Sequence, residues 1–305
     1  MTILVTGASG LIGREFLQTA DSESEEIVAL ARDPAAIDAT ALGRAQWLPI
    51  DLRDPGFARK LPGRADAIVN LAQAREYRDF PASAVDIFDV NLGATARLLD
   101  YALGAGVQRF VFASTGTMYE SSHAPLTERS PILCASYYAA SKRAAELLIG
   151  QYRELFGCWL MRIFTVYGVG QRDQLVANLT RRVAGEEPVP LQGTSGLPVS
   201  PIHAADVARA LWQAATVGDA APESGCEALN IGGAQALTIR DLAQEIGKAL
   251  GVPARFECAA GDDPPGWVAD RRLLDRRFAL AEPLAFADGI RQVLSAEGVV
   301  SVTRG

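Results

Sequence analysis

Histidine and cysteine are scarce in this chain of 305 residues: two of the first, His123 and His203, and four of the second, with no C-x-x-C pair among them. So few ligand-type side chains, none at zinc-like spacing, argue against a metal centre and against a disulfide framework, and the scattered cysteines are expected to be reduced, buried small residues. A basic surplus is also missing. With 29 Lys and Arg against 36 Asp and Glu, the formal net charge is −7, which speaks against nucleic acid or an anionic membrane as the main partner. No apolar run approaches the roughly 18 residues of a membrane span, and the first apolar strand begins at residue 2, which leaves no room for a signal peptide. A soluble, cytoplasmic protein is the expectation. Its hydrophobic residues, 49% of the chain, suffice for a sizeable core and two subregions.

Tyr138 and Lys142 stand four residues apart in Tyr-Ala-Ala-Ser-Lys. Four residues is about one helical turn, so on a helix the phenol and the ammonium project from one face and can share a ligand. A free tyrosine holds its proton to about pH 10, too tightly for a base at neutral pH. A neighbouring lysine charge favours the phenolate and is expected to lower that value, enabling Tyr138 to exchange a proton with a carbinol oxygen. The plainer reading is an amphipathic helix with Tyr138, Ala145, Leu148, Ile149 and Tyr152 packed and Lys142, Arg143 and Glu146 in solvent.

The start of the chain decides between these readings. Ile3-Leu4-Val5-Thr6 is a short β-branched run, followed at once by Gly7-Ala-Ser-Gly10-Leu-Ile-Gly13 and then Arg14-Glu15-Phe16-Leu17. Strand, glycine turn and helix in that order allow close approach of a pyrophosphate, to which the helix N-terminus offers free N–H groups and a positive dipole end. A second strand, Ile27 to Ala31, follows about 20 residues later, as a dinucleotide fold requires. An acid at its end would accept from the adenosine ribose, whereas arginine would pair with a 2′-phosphate. Ala31, Arg32, Asp33 and Pro34 stand there. Arg32 points to NADP(H) in preference to NAD(H), with Asp33 on the ribose as the other reading.

Further strands are expected at Gln46–Pro49, Ala67–Leu71, Arg109–Ala113 and Trp159–Phe164, and helices at 10–20, 85–104 and 136–156. Alternation of this kind implies right-handed βαβ units and a doubly wound parallel sheet of Rossmann type. Glycine and proline become dense at 185–201 and 261–266, marking loops of a second, less regular region. Helices at 204–215 and 238–250 and a strand at 228–233 complete the reading. It divides the chain into a dinucleotide-binding domain at 1–165, to which about 202–235 return, and a smaller substrate-binding region within 166–305, mainly 166–201 and 236–305.

Taken together, the motifs resemble the extended short-chain dehydrogenase/reductases, the group of sugar-nucleotide epimerases, dehydratases and reductases. Besides the glycine turn and Tyr138/Lys142, the resemblance rests on Asp51-Leu52, Asn70-Leu71-Ala72, Asn91 with Gly93 and Thr95, and Ser114-Thr115 before Tyr119. It continues through Arg162-Ile-Phe164 before Val-Tyr-Gly168, Ile202-His203 with Asp206, and Asn230-Ile-Gly232. The resemblance implies a catalytic set of Thr115, Tyr138 and Lys142. It implies a cofactor site of Gly7, Ser9, Gly10, Leu11, Ile12, Gly13, Arg32, Asp51, Leu52, Leu71, Ala72 and Lys142. In it, Asp51 and Leu52 hold the adenine, Ala72 lines the phosphate path, Lys142 bridges the nicotinamide ribose, and the Thr115 hydroxyl orients the reacting oxygen toward Tyr138. A plainer role for Thr115 is a strand-end hydroxyl capping its own backbone. Family members commonly dimerise through the helices at about 90–104 and 136–156, so a homodimer is expected, with Leu98, Leu99, Tyr101 and Leu148 either supplying the interface or simply facing the sheet. His203 and Asp206 at a helix start are expected to cap or pack.

Departures from the family pattern narrow the chemistry. The 4,6-dehydratases carry an Asp-Glu pair directly after the threonine; here Gly116 and Thr117 stand there, and neither transfers a proton at neutral pH. Thr165 replaces a usual Asn, and Gln73 a second small residue. Two arginines that grip a substrate diphosphate in the epimerases are replaced by Val199 and Ala259. Either the substrate carries no nucleotide diphosphate, or Arg271, Arg272, Arg276 and Arg277 substitute, and a solvated helix face is the plainer reading of that cluster. The expected activity is NADP-preferring hydride transfer on a secondary alcohol or ketone of a carbohydrate-like metabolite. The alternatives are an epimerase with tightly bound NAD and a non-catalytic dinucleotide sensor.

Overall fold

A computed structural model describes residues 1–19, 25–36, 44–217, 222 and 225–299. Its centre is a seven-stranded, wholly parallel sheet of β1 (Thr2–Thr6), β2 (Glu26–Ala31), β3 (Gln46–Pro49), β4 (Ala67–Asn70), β5 (Arg109–Thr115), β6 (Gly157–Ile163) and β11 (Cys226–Ile231), in the order β11-β6-β5-β4-β1-β2-β3. Every residue of β4 is buried, as are the last six of β5 and of β6, which is why these strands read as continuous apolar runs and not as alternating ones.

Helices α1 (Leu11–Thr19) and α6 (Ala204–Thr216) cover one face. Phe16 and Trp212 meet there at 5.4 Å, and Trp159 packs on Phe278 at 5.1 Å. The other face is covered by α2 (Ala84–Phe88), α3 (Ala94–Ala105) and α4 (Tyr137–Ile149). The stretch expected as one helix at 85–104 is interrupted by a π-helical turn at Asp89–Gly93, and this irregularity turns the Asn91 side chain inward. The expected helix at 10–20 ends at Thr19, and Ala20 lies outside the described residues.

The remaining elements are β7 (Val166–Tyr167), α5 (Leu175–Ala184), β8 (Val189–Gln192), β9 (Pro198–Val199), β10 (Ile202–His203), β12 (Leu237–Thr238), α7 (Ile239–Leu250), β13 (Phe256–Ala259), α8 (Arg272–Arg277) and α9 (Phe286–Ala296). Most of them form a smaller layer around a core of their own, whereas Ile202 of β10 and Leu274 of α8 join the core on the α1/α6 face of the sheet. Three two-stranded ladders, β10 with β7, β12 with β9 and β13 with β8, tie the layer together. Helix α7 is closed by a capping box in which Thr238 and Asp241 satisfy each other's backbone N–H groups, and Gly251 ends it in a left-handed turn.

The placement of α4 overturns the plainer reading, in which Lys142 and Glu146 would lie in solvent. Glu146 and Lys142 are 2% and 1% exposed. The Glu146 carboxylate accepts from Ser114 Oγ at 2.7 Å, from Arg162 Nε at 3.0 Å and Nη2 at 2.8 Å, and from Arg143 Nη1 at 2.8 Å. Burial disfavours the Arg162 charge, but hydrogen bonds to Glu146 and Tyr119 outweigh it, so the guanidinium is held more firmly charged than usual. Arg162 also donates to Tyr119 Oη at 2.6 Å and to the Glu128 carbonyl, and Tyr119 donates to Asn230 at 2.9 Å.

The expectation of buried cysteines holds only for Cys158: Cys134 and Cys226 are partly buried and Cys258 is exposed, and Cys158 and Cys226, far apart in sequence, are register partners on β6 and β11. Of the residues read either as dimer contacts or as facing the sheet, Leu98 and Leu99 belong to the core, Tyr101 is partly buried and donates to the Pro62 carbonyl, and Leu148 is exposed.

Truncating Glu146 to Ala strands the Arg162 guanidinium out of water, and an uncompensated buried charge of this kind costs about 3–5 kcal/mol. Urea denaturation is expected to register that loss, with Arg143→Ala, whose side chain is 32% exposed, costing under about 1 kcal/mol. Equal, small effects for the two variants would contradict the assignment.

Candidate active site

Gly7 opens the first turn with φ +65°, and a Cβ there would lie 2.8 Å from the Ala72 nitrogen; at Gly13 it would lie 2.4 Å from the Gly7 carbonyl. Only glycine lets β1, the end of β4 and the first turn of α1 approach this closely. The Gly10 N–H returns to the Gly7 carbonyl at 2.9 Å, which leaves the first turn of α1 facing a cleft of about 980 Å³ beyond the carboxyl ends of the parallel strands.

A chain of polar contacts fixes this turn relative to α4. Thr6 Oγ1 donates to Asn70 Oδ1 at 2.7 Å, Asn70 Nδ2 to Thr95 Oγ1 at 3.0 Å, and Thr95 Oγ1 to the Asn91 carbonyl at 2.8 Å. Asn91 accepts from the Ala74 N–H at 3.0 Å and donates to Ser141 Oγ at 2.9 Å, which in turn donates to the Tyr138 carbonyl at 2.8 Å. Ser136 caps α4, its hydroxyl accepting from the Ala139 N–H.

Of the expected site residues, Gly7, Gly10, Leu11, Ile12, Gly13, Leu71, Thr115, Tyr138 and Lys142 line this cleft. Ser9 is at the exposed tip of the turn, and Ala72 lies behind the wall with its carbonyl accepting from Lys142. Arg32, Asp51 and Leu52 sit beyond the lining at the ends of β2 and β3. There Asp51 is engaged by the Arg53 guanidinium at 2.7 Å, and its carboxyl is held below the usual range by that hydrogen bond, with Arg32 adding to the effect. Asp33 accepts from the Ala35 N–H and so closes its own turn.

Lys142 Nζ donates to the carbonyls of Ala113 at 2.9 Å and Ala72 at 3.4 Å and lies 4.8 Å from the centre of the Phe112 ring. Burial lowers its pKa to about 7, with the Glu146 charge opposing the shift. Tyr138 is half-buried and donates to Gln73 Oε1 at 3.2 Å. Desolvation pushes its phenol above the ordinary value, Tyr77 adds to this, and a hydrogen bond with Thr115 opposes it. The expectation that the lysine charge lowers the phenol is therefore not met in this arrangement: the ammonium is turned to two carbonyls, one turn along the helix. Thr115 does cap its own backbone, accepting from the Thr117 N–H at 3.2 Å, and it also faces the cleft. His203 and Asp206 hold α6, accepting from the N–H groups of Ala205 and Leu284.

No motif marks the opposite rim, formed by Tyr77, Arg78, Gln174 and Arg172. Arg78 donates to the Asp173 carbonyl and to Gln174 Oε1, each at 2.6 Å, and Gln174 donates to Tyr77 Oη at 2.8 Å, so two loops are latched across the cleft. Val199 lines the cleft where the epimerases have arginine, and Ala259 sits on β13 outside it. Arg271, Arg272 and Arg277 are paired with Asp275, Asp270 and Glu227, and neither they nor Arg276 line the cleft. Among the described residues no group of His, Cys, Asp and Glu is arranged to hold a metal, and no helix is long and apolar enough to cross a membrane.

The NAD dependent epimerase/dehydratase family model matches residues 3–232. The chain belongs to that family. A dTDP-4-dehydro-6-deoxy-D-allose reductase from a Streptomyces species is 29% identical over 90% of this chain and 88% of its own length. A dTDP-glucose 4,6-dehydratase of Streptomyces antibioticus is 30% identical over 92% and 84%. Among solved structures, MoeE5 in complex with UDP-glucuronic acid and NAD is 26% identical, with a TM-score of 0.80 over 98% of this chain and 100% of that one. The family fold, a parallel sheet with helices on both faces, is the one found here.

The depressed Lys142 pKa has a testable consequence. Between about pH 7 and the unfolded-state value near 10.4, the unfolded chain binds a proton that the native state does not, so native stability rises with pH across that window. The cost is fully present below about pH 7. The stability of ligand-free wild type relative to Lys142→Met is therefore expected to increase from pH 7 to 10, by urea denaturation at each pH. A difference that stays flat over this range would show that Lys142 is not held in a desolvating site.

Proposed function

We propose that the protein is an NADP(H)-preferring oxidoreductase that interconverts a secondary alcohol and a ketone on a carbohydrate-like metabolite. The observation that carries this reading is the convergence of Tyr138, Thr115 and Lys142 with the glycine turn on one cleft. The free N–H groups at the start of α1 would hold the pyrophosphate, Asp51 and Leu52 the adenine, and Lys142 the nicotinamide ribose. A bound nicotinamide supplies the hydride acceptor or donor. The protein's own part is proton chemistry. Thr115 orients the reacting oxygen, and Tyr138, whose phenol is held protonated at neutral pH, delivers a proton to a ketone oxygen as it becomes a carbinol. In an epimerase cycle the same phenol would act first as base and then as acid. A non-catalytic sensor would have no use for the tyrosine and lysine.

Arg32 supports NADP(H): it directly follows β2, where a guanidinium pairs with a 2′-phosphate, while Asp33 gives one carboxylate oxygen to the Ala35 N–H. The NAD bound by MoeE5 keeps NAD(H) in view as the other cofactor. A 4,6-dehydratase is disfavoured although a relative carries that name, because a Cβ at Gly116 would lie 2.7 Å from the Phe164 ring, and Thr117 supplies no acid. The reading extends to a cytoplasmic homodimer, supported by four free cysteines and by exposed Val85, Phe88, Leu103, Leu147 and Leu148 on α2 to α4.

Two outcomes are expected. Tyr138→Phe loses most turnover in a substrate screen followed by NADPH absorbance while cofactor affinity is unchanged; retained turnover refutes the acid role. Arg32→Ala weakens NADPH binding by about tenfold, the worth of a charge-assisted contact, and leaves NADH binding as it was. Equal affinity of the wild type for both cofactors removes the argument from Arg32.

A further inference from the structure

Gln73 stands where the family pattern has a small residue, and its carboxamide oxygen reaches the Tyr138 hydroxyl at 3.2 Å. The residue is itself exposed and lies on the cleft wall between the end of β4 and the latched rim. Four residues further on, the Tyr77 ring packs against that of Tyr138 with centroids 4.6 Å apart. Tyr77 is held from behind by Gln174, and the neighbouring Arg78 fastens the same segment to residues 173–174. Tyr138 is thus gripped at its ring and at its oxygen by one strap.

We propose that Gln73 is a positioning residue for Tyr138: its carboxamide oxygen accepts the phenol hydrogen and so keeps the group that faces the cleft in its proton-donating form. This rests on the acid role given to Tyr138 above. In the orientation found, the carboxamide oxygen meets the phenol hydrogen, so the neutral phenol keeps this bond, whereas a phenolate would have to draw the amide NH2 round in its place. The other charged or titratable groups around the phenol act from separate elements. Lys142 is one turn along α4 and turned to two carbonyls, Tyr77 and Arg78 lie on the strap, Arg172 lies on the far rim, and the Thr115 hydroxyl sits at the end of β5. Of these, Gln73 is the neutral acceptor the phenol donates to, and removing it should ease ionisation without changing any charge in the cleft.

The test reads Tyr138 itself and needs no substrate. All seven tyrosines are replaced by 3-fluorotyrosine, whose electron-withdrawing fluorine brings titration to lower pH, and the Tyr138 fluorine resonance is assigned by its loss in Tyr138→Phe. In Gln73→Leu the Tyr138 midpoint is expected to fall by about half to one pH unit, the effect of one neutral hydrogen bond. In Gln73→Glu, which keeps an acceptor oxygen, the midpoint holds or rises. Thermal melts show that both variants are folded. A midpoint unchanged or raised in Gln73→Leu, an equal fall in both variants, or no titration of Tyr138 in any of the three proteins overturns the proposal. Turnover retained by Tyr138→Phe would instead refute the acid role and leave the titration result standing.

Discussion

The carboxylate of Glu146 lies out of water between Ser114 at the end of β5, Arg162 on β6 and Arg143 on its own helix. A charge in that position is tolerated only when paired and hydrogen-bonded on both oxygens, and both conditions are met. The consequence is geometric. With Glu146 pinned to two strands of the sheet, the turn that bears Lys142 and Tyr138 is set over the carboxyl ends of β4 and β5, where the polar chain from Thr6 through Asn70, Thr95 and Asn91 meets Ser141. Every side chain of α4 that faces the cleft takes its place from these two anchors.

Features confined to a few consecutive residues were legible beforehand. The glycine turn and the Tyr138/Lys142 spacing need only local chain geometry, and the buried parallel strands announce themselves as unbroken apolar runs. Contacts between distant segments were not legible. Glu146 reads as a solvated helix residue until Ser114 and Arg162, 32 and 16 residues away, are brought to it. The π-helical turn at Asn91 leaves no mark on the hydrophobic pattern. Strands of two residues, such as β9 and β12, are set by a partner far along the chain and not by propensity. Helices α5 and α9 do carry a signal, with buried Val176, Leu179 and Val183 in one and Phe286, Ile290, Val293 and Leu294 in the other at helical spacing. The sequence reading leaves both unassigned.

The cleft is built from two kinds of wall. On the sheet side are the glycine turn and α4, which follow the family pattern closely. On the other side are Gln73, Tyr77, Arg78, Arg172, Gln174 and Val199, where the chain departs from it. Gly116 pressed under Phe164, and Val199 where a diphosphate-binding arginine stands in the epimerases, remove groups that related enzymes use. In the reduction proposed above, Tyr138 is the proton donor, Thr115 the orienting hydroxyl and Lys142 the anchored ammonium. Among the described residues the arginines that line the cleft are Arg14, Arg75, Arg78 and Arg172, which lie on α1 and the far rim and not on α8.

The central claim is that Lys142 and Tyr138 are carried by α4 to the reacting end of a bound dinucleotide. A crystal structure of the protein with NADPH tests it most directly. The account requires the pyrophosphate over the first turn of α1 and the nicotinamide ribose within hydrogen-bonding reach of Lys142, with the ring beside the Tyr138 phenol. A dinucleotide seated elsewhere, or seated there with Lys142 still turned to the Ala72 and Ala113 carbonyls alone, would contradict it.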